Sequence, residues 1–136
     1  MPFRTPLVVR FGDLDPAGIV YYPRYGHLCH VAMEQFFEQV VGVAYPMLTK
    51  GLDAGFPVVH VETDYFRPLR YDDDLEIEVT VTRVGTTSVE WLYRFLHRGV
   101  DAPAAVCRTV TVCVSMKSFE KTPVPDWLAE KLRATG

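Results

Sequence analysis

One segment of this chain repeats at helical spacing, and most of the sequence after residue 57 repeats at two. Tyr25, Leu28, Cys29, Ala32, Met33, Phe36, Phe37 and Val40 recur every three or four positions, the apolar stripe of an amphipathic helix of about five turns. Arg24, His27, Glu34, Gln35 and Glu38 fall largely off that stripe. Pro23 fits the first turn, where its missing N–H costs nothing, and Gly42 marks the stop. Downstream, Leu75, Ile77, Val79 and Val81 alternate with Glu76, Glu78, Thr80 and Thr82, a strand with one buried face. Val58 to Phe66, Val89 to His97 and Ala104 to Met116 read as further strands, with Trp91, Tyr93 and Phe95 sharing a face. Leu7 to Phe11 reads as the first strand, Tyr45 to Leu52 as a short helix, Asp53-Ala54-Gly55 as a turn and Pro125 to Ala134 as a closing helix.

The turns at Gly85-Thr86-Thr87 and Gly99 to Pro103 are too short for a crossover, so the strands they join are antiparallel. A sheet with one face to bury and a single long apolar helix to cover it defines an α+β fold, five antiparallel strands curved around one helix. Its outer face keeps apolar side chains and its edges stay open, which favours at least a dimer.

With 136 residues, the chain reads as a single domain, 1–136, and buries roughly two-thirds of its unfolded surface without staples. A formal charge of −3 argues against the basic face that broad nucleic-acid binding requires, while leaving open a local Lys/Arg cluster for one phosphorylated ligand. Cys29, Cys107 and Cys113 are odd in number and lack C-x-x-C spacing, which supports neither a zinc site nor a disulfide framework. Free thiols fit a reducing compartment. No stretch approaches the ~18 apolar residues of a membrane span, and the N-terminus lacks the apolar core of a signal peptide. The expectation is a cytoplasmic protein with no membrane partner.

Between the first strand and the helix lies Phe11-Gly12-Asp13-Leu14-Asp15-Pro16-Ala17-Gly18-Ile19-Val20-Tyr21-Tyr22-Pro23. Two acids, two glycines and two prolines in one connection exceed what a simple link requires. The loop sets a carboxylate beside a helix N-terminus, a combination able to attack a carbonyl and hold its oxygen. From the residues alone, Asp15 is either that carboxylate or the cap of a turn before Pro16. The chain has no Gly-x-Ser-x-Gly elbow to supply a serine nucleophile.

Residues 12 to 23 of this loop resemble the signature of the 4-hydroxybenzoyl-CoA thioesterase family of hot-dog proteins, and Tyr71-Asp72-Asp73-Asp74-Leu75 is similar to that family's strand-entry segment. The resemblance spans nearly the whole chain in element order. It implies a hot-dog fold, homodimers or homotetramers, and hydrolysis of an acyl-CoA thioester without metal or other cofactor, coenzyme A being part of the substrate. An aryl group such as 4-hydroxybenzoyl is the first choice of acyl group. It implies Asp15 as nucleophile or general base and the backbone N–H near Tyr22 as the donor to the thioester oxygen. Asp13 reads as loop support. Gly18 supplies a positive-φ turn or a close backbone approach, and Gly18 and Val20 are expected to border the substrate.

His30, eight residues after Tyr22, is a candidate to orient a polar acyl head group. His60 is a candidate from a strand expected near a partner's pocket. His27, His30 and His60 do not form a metal-ligand spacing. Arg67, Arg70, Arg83, Arg94, Arg98, Arg108 and Lys117 lie on strands or their ends, where some are suited to coenzyme A phosphates; no single one stands out. The alternatives are a thioesterase for short aliphatic acyl groups and a non-catalytic acyl-CoA-binding module on the same fold. A dehydratase of this fold is disfavoured, because no His/Glu or Asp/His motif appears.

Overall fold

A computed structural model describes residues 2–135. Along the chain run β1 (Phe3–Leu7), α1 (Arg24–Phe36), β2 (Ala54–Gly55), β3 (Val58–Tyr65), β4 (Leu75–Val84), β5 (Ser88–His97), β6 (Ala105–Val112), β7 (Val114–Ser115) and α2 (Asp126–Arg133). Five strands form one antiparallel sheet in the order β1-β4-β5-β6-β3. It is the expected α+β architecture, one sheet packed on one long helix. No helix among the described residues is long and apolar enough to cross a membrane.

The alternation on β4 becomes a two-sided pattern. Leu75, Ile77, Val79 and Val81 are buried against the helix, and Trp91, Tyr93 and Phe95 bury the same face of β5. Phe36 and Phe37 reach Trp91 with ring centroids 5.4 and 5.9 Å away. The Trp91 indole N–H donates to Thr111 Oγ1 at 3.0 Å, so the largest core ring carries no orphaned donor. On the opposite face Glu78 is buried, yet it receives Arg4 Nε at 2.9 Å and Arg94 Nη1 at 3.0 Å. Burial alone would push its carboxyl up; the two guanidinium groups outweigh that and hold it below the usual range.

Several boundaries differ from the sequence reading; the last strand, expected over Ala104 to Met116, divides at Cys113 into β6 and β7, and β7 leaves the main sheet to pair with β2. The first strand is Phe3–Leu7, earlier than Leu7 to Phe11, and Phe11 is exposed on a 3₁₀ turn, Phe11–Asp13. Pro6 lies within β1, where an edge strand tolerates the missing N–H. The long helix passes into a π-helical turn, Phe37–Val41, which ends at Gly42 with φ 85°. That wider turn shifts the inward face by one position, so Val41 is buried and Val40 only partly so. Residues Met47–Gly51 form a π-helical turn within the expected short helix. Ala54 and Gly55, expected in a turn, pair with Ser115 and Val114. Asp53 fixes this small second sheet, its carboxylate accepting from Ser115 Oγ at 2.9 Å and from the Met116 N–H at 2.8 Å.

Strand β3 closes one side of the main sheet and is exposed along nearly its whole length. Val58, Val59, Val61 and Tyr65 are each half or more accessible. The three cysteines are buried and free.

Candidate active site

The loop from Arg10 to Pro23 is held by its first acid. Asp13 is 4% exposed. Its Oδ2 accepts the Arg10 N–H at 2.9 Å, and its Oδ1 accepts Arg24 Nε at 2.9 Å, with Arg24 Nη2 ion-paired to the same oxygen at 2.8 Å. Its carbonyl accepts the Tyr21 N–H at 2.8 Å. One residue thereby ties the strand exit to the first turn of α1, and its carboxylate is saturated by donors.

Asp15 sits in a tight reversal. Its N–H donates to the Ile19 carbonyl and its own carbonyl accepts from the Gly18 N–H, both at 2.9 Å. Gly18 has φ 81°, a left-handed conformation that side chains resist. Asp15 Oδ1 accepts the Ala17 N–H at 2.8 Å, the local bond that keeps this side chain in place. Its second oxygen accepts no hydrogen bond among the described residues. Beyond the reversal, the Val20 N–H donates to the Leu69 carbonyl at 2.9 Å and Ile19 bridges to Arg70. The loop is thus stitched to the segment that follows β3.

At the helix entrance the Tyr21 and Arg24 N–H groups are used within the loop, the latter on the Tyr21 carbonyl at 2.8 Å. The Tyr22 N–H has no acceptor among the described residues. Asp15 and Tyr22 both front a cavity of about 480 Å³, together with Ile19, Val20, Tyr21, Tyr25, Tyr65, Phe66, Arg67 and Pro68. Tyr25 meets the ring of Tyr65 edge-to-face at 4.9 Å and that of Phe95 at 5.1 Å. Burial, then the neighbouring Tyr65, pushes the Tyr25 hydroxyl up to about 12, which keeps it protonated and able to donate.

Of the residues singled out in the sequence, Asp15, Val20 and Tyr22 line this cavity, and Gly18 shapes the reversal that presents Asp15. His30 and His60 do not line it within one protomer. His30 is exposed, 3.7 Å from Glu34, and borders a separate cavity of about 120 Å³ between α1 and β3. His60 is paired with Glu62 at 3.0 Å and borders a third cavity of about 150 Å³, with Thr82 and Glu90. The aromatic wall formed by Tyr25, Tyr65 and Phe66 was not singled out. Its one linear signal is the Tyr65-Phe66-Arg67-Pro68 run at a strand end.

Residues 9–132 match the pattern of the Thioesterase-like superfamily. A 1,4-dihydroxy-2-naphthoyl-CoA hydrolase of Synechococcus elongatus is 33% identical over 131 residues, covering 94% of this chain and 93% of that protein. The protein of the same name from Gloeothece citriformis is 34% identical over 130 residues, covering 89% and 87%. The crystal structure of a 1,4-dihydroxy-2-naphthoyl-CoA thioesterase from Synechocystis superposes with a TM-score of 0.86, 98% coverage of this chain and 96% of that one, at 23% identity.

Proposed function

The chain belongs to the Thioesterase-like superfamily and is a thioester hydrolase, and we propose that it hydrolyses a hydroxyaryl acyl-CoA to the free acid and coenzyme A. The observation that carries this reading is the meeting of an Asp15 oxygen without a protein partner and the open Tyr22 N–H on one aromatic-walled cavity. Asp15 either attacks the acyl carbon, to be released later by water, or takes a proton from an attacking water. In both routes the C–S bond breaks, the thiolate of coenzyme A leaves and takes up a proton, and the acid gains one oxygen, either from water directly or from the Asp15 carboxylate, which water then restores. Tyr22 N–H faces the oxygen on which negative charge develops. The reaction needs no further cofactor.

The relatives' names favour a two-ring 1,4-dihydroxy-2-naphthoyl group over the single ring of 4-hydroxybenzoyl. A cavity of about 480 Å³ admits two fused rings. Tyr25, Tyr65 and Phe66 offer ring edges and faces to them, and the protonated Tyr25 hydroxyl offers a donor to a ring hydroxyl. Thiol release from 1,4-dihydroxy-2-naphthoyl-CoA, 4-hydroxybenzoyl-CoA and a short aliphatic acyl-CoA tests this. The expected kcat/KM for the naphthoyl thioester exceeds that for the aliphatic one by at least about 100-fold. Binding of all three without thiol release would instead establish a non-catalytic module.

The open edge of β3 supports the dimer implied by the sequence. Val59 and Val61 are 59% and 55% exposed on a strand without an outer neighbour, a surface ready to pair with a second copy. Pairing there brings His60 of one protomer towards its partner. Val59→Lys/Val61→Lys is expected to convert the dimer to monomer in sedimentation velocity; an unchanged sedimentation coefficient would place the interface elsewhere.

A further inference from the structure

A fourth cavity, of about 350 Å³, opens beside the first and is lined by Arg67, Pro68, Arg70, His97 and Val100. Arg67 and Pro68 line both. Six arginines of the described chain, Arg4, Arg24, Arg83, Arg94, Arg98 and Arg108, are committed to carboxylates. Arg67 and Arg70 form no ion pair among the described residues. Arg67 gives one N–H to the Ala102 carbonyl at 2.6 Å, which braces the side chain without neutralising it. Asp72, the nearest acid by sequence, forms no ion pair among the described residues, and Asp73, within electrostatic reach of Arg70, is occupied: its Oδ2 accepts the Arg70 backbone N–H at 2.9 Å and lies 3.0 Å from His97 Nε2. Two uncommitted guanidinium groups on one concave wall are an anion site, and guanidinium forks match phosphate.

Its position says which phosphate. Arg70 bridges backbone-to-backbone with Ile19, whose carbonyl accepts the Asp15 N–H. A ligand with its reacting carbonyl at Asp15 and Tyr22 therefore has its leaving arm pass over Arg67 and Pro68 to reach Arg70. Resting on the thioesterase reading, we infer that the Arg67–Arg70 cavity binds the nucleotide phosphates of the coenzyme A arm.

The test compares acyl-CoA with the matching acyl-pantetheine, which keeps the thioester and lacks every phosphate. In Arg70→Gln, the ratio of kcat/KM for acyl-CoA to that for acyl-pantetheine is expected to fall about tenfold, with partial recovery in Arg70→Lys. Each enzyme serves as its own reference, so a general loss of folded protein leaves the ratio untouched. An unchanged ratio overturns the subsite while leaving the thioesterase reading in place. If the wild-type protein hydrolyses neither thioester, the thioesterase reading fails on its own. Calorimetric binding of free coenzyme A then reads the subsite independently: about tenfold weaker binding by Arg70→Gln upholds it, and equal affinity overturns it.

Discussion

Replacing Asp15 with Asn is expected to lower kcat for thioester hydrolysis by about a thousandfold, with a much smaller change in KM. The amide keeps the size of the side chain and a carbonyl oxygen for the Ala17 N–H, so the reversal around Gly18 persists. It removes the negative oxygen that either attacks the acyl carbon or accepts a proton from water. Asp15 is only half-buried and makes no ion pair among the described residues, so stability should change by less than about 0.5 kcal/mol. Thiol release under saturating substrate, read beside a thermal melt, separates the two effects. An Asn variant with wild-type turnover would remove Asp15 from the chemistry and return it to the role of a turn cap. A single turnover in ¹⁸O-water then divides nucleophile from base in the wild-type enzyme. An acyl–Asp15 anhydride opened by water at the Asp15 carboxyl carbon leaves ¹⁶O in the first product and the label in the enzyme; a general base places ¹⁸O in the product at once.

Asp13→Ala is expected to show the opposite balance, a stability loss of about 2 kcal/mol with a smaller catalytic defect. Its carboxylate is buried, accepts hydrogen bonds from the Arg10 N–H and Arg24 Nε, and is ion-paired with the Arg24 guanidinium. Removing it leaves the Arg10 N–H and the guanidinium without their acceptor. Arg24 is partly exposed and recovers some hydration, which keeps the loss below the ~3–5 kcal/mol of a fully buried broken pair. For a domain of this length the Tm should drop by roughly 8 °C. The Tyr21 N–H bonds the Asp13 carbonyl, not its side chain, so the helix entrance keeps one of its ties. Turnover should therefore fall only about tenfold. A melt unchanged within about 1 °C would mean that these bonds do not hold the loop.

These two acids mark how far the linear order carries. Asp15 and Tyr22 were legible as a pair because both lie in one short loop that ends at a helix start, and the backbone N–H groups there lack internal acceptors whatever the rest of the fold does. The helical stripe was legible to Phe37 for the same local reason, a fixed 3.6-residue period. It failed at Val40 because the π-helical turn changes the period, and nothing in the composition of Phe37–Val41 announces that change. The start of β1 was misplaced because Pro6 reads as a strand breaker unless the strand is known to lie at an edge, and edge position is a property of the sheet.

His30 shows the same limit from the other side. Eight residues beyond Tyr22 along a helix is a displacement of about 12 Å, enough to carry the side chain past one cavity and onto the next. Sequence spacing gives that distance without saying where the cavity ends. The sequence by itself determined the α+β class, a main sheet of five strands, their antiparallel pairing and the carboxylate beside the helix entrance, because periodicity, turn length and adjacency are local quantities. Tertiary structure alone decided that Tyr65, Phe66 and Arg67 complete the cavity, that Arg70 lies against the loop, and that β3 is left without an outer neighbour. Those contacts join positions some fifty residues apart, through the pairing of Ile19 with Arg70 and of Val20 with Leu69, and no local period encodes them.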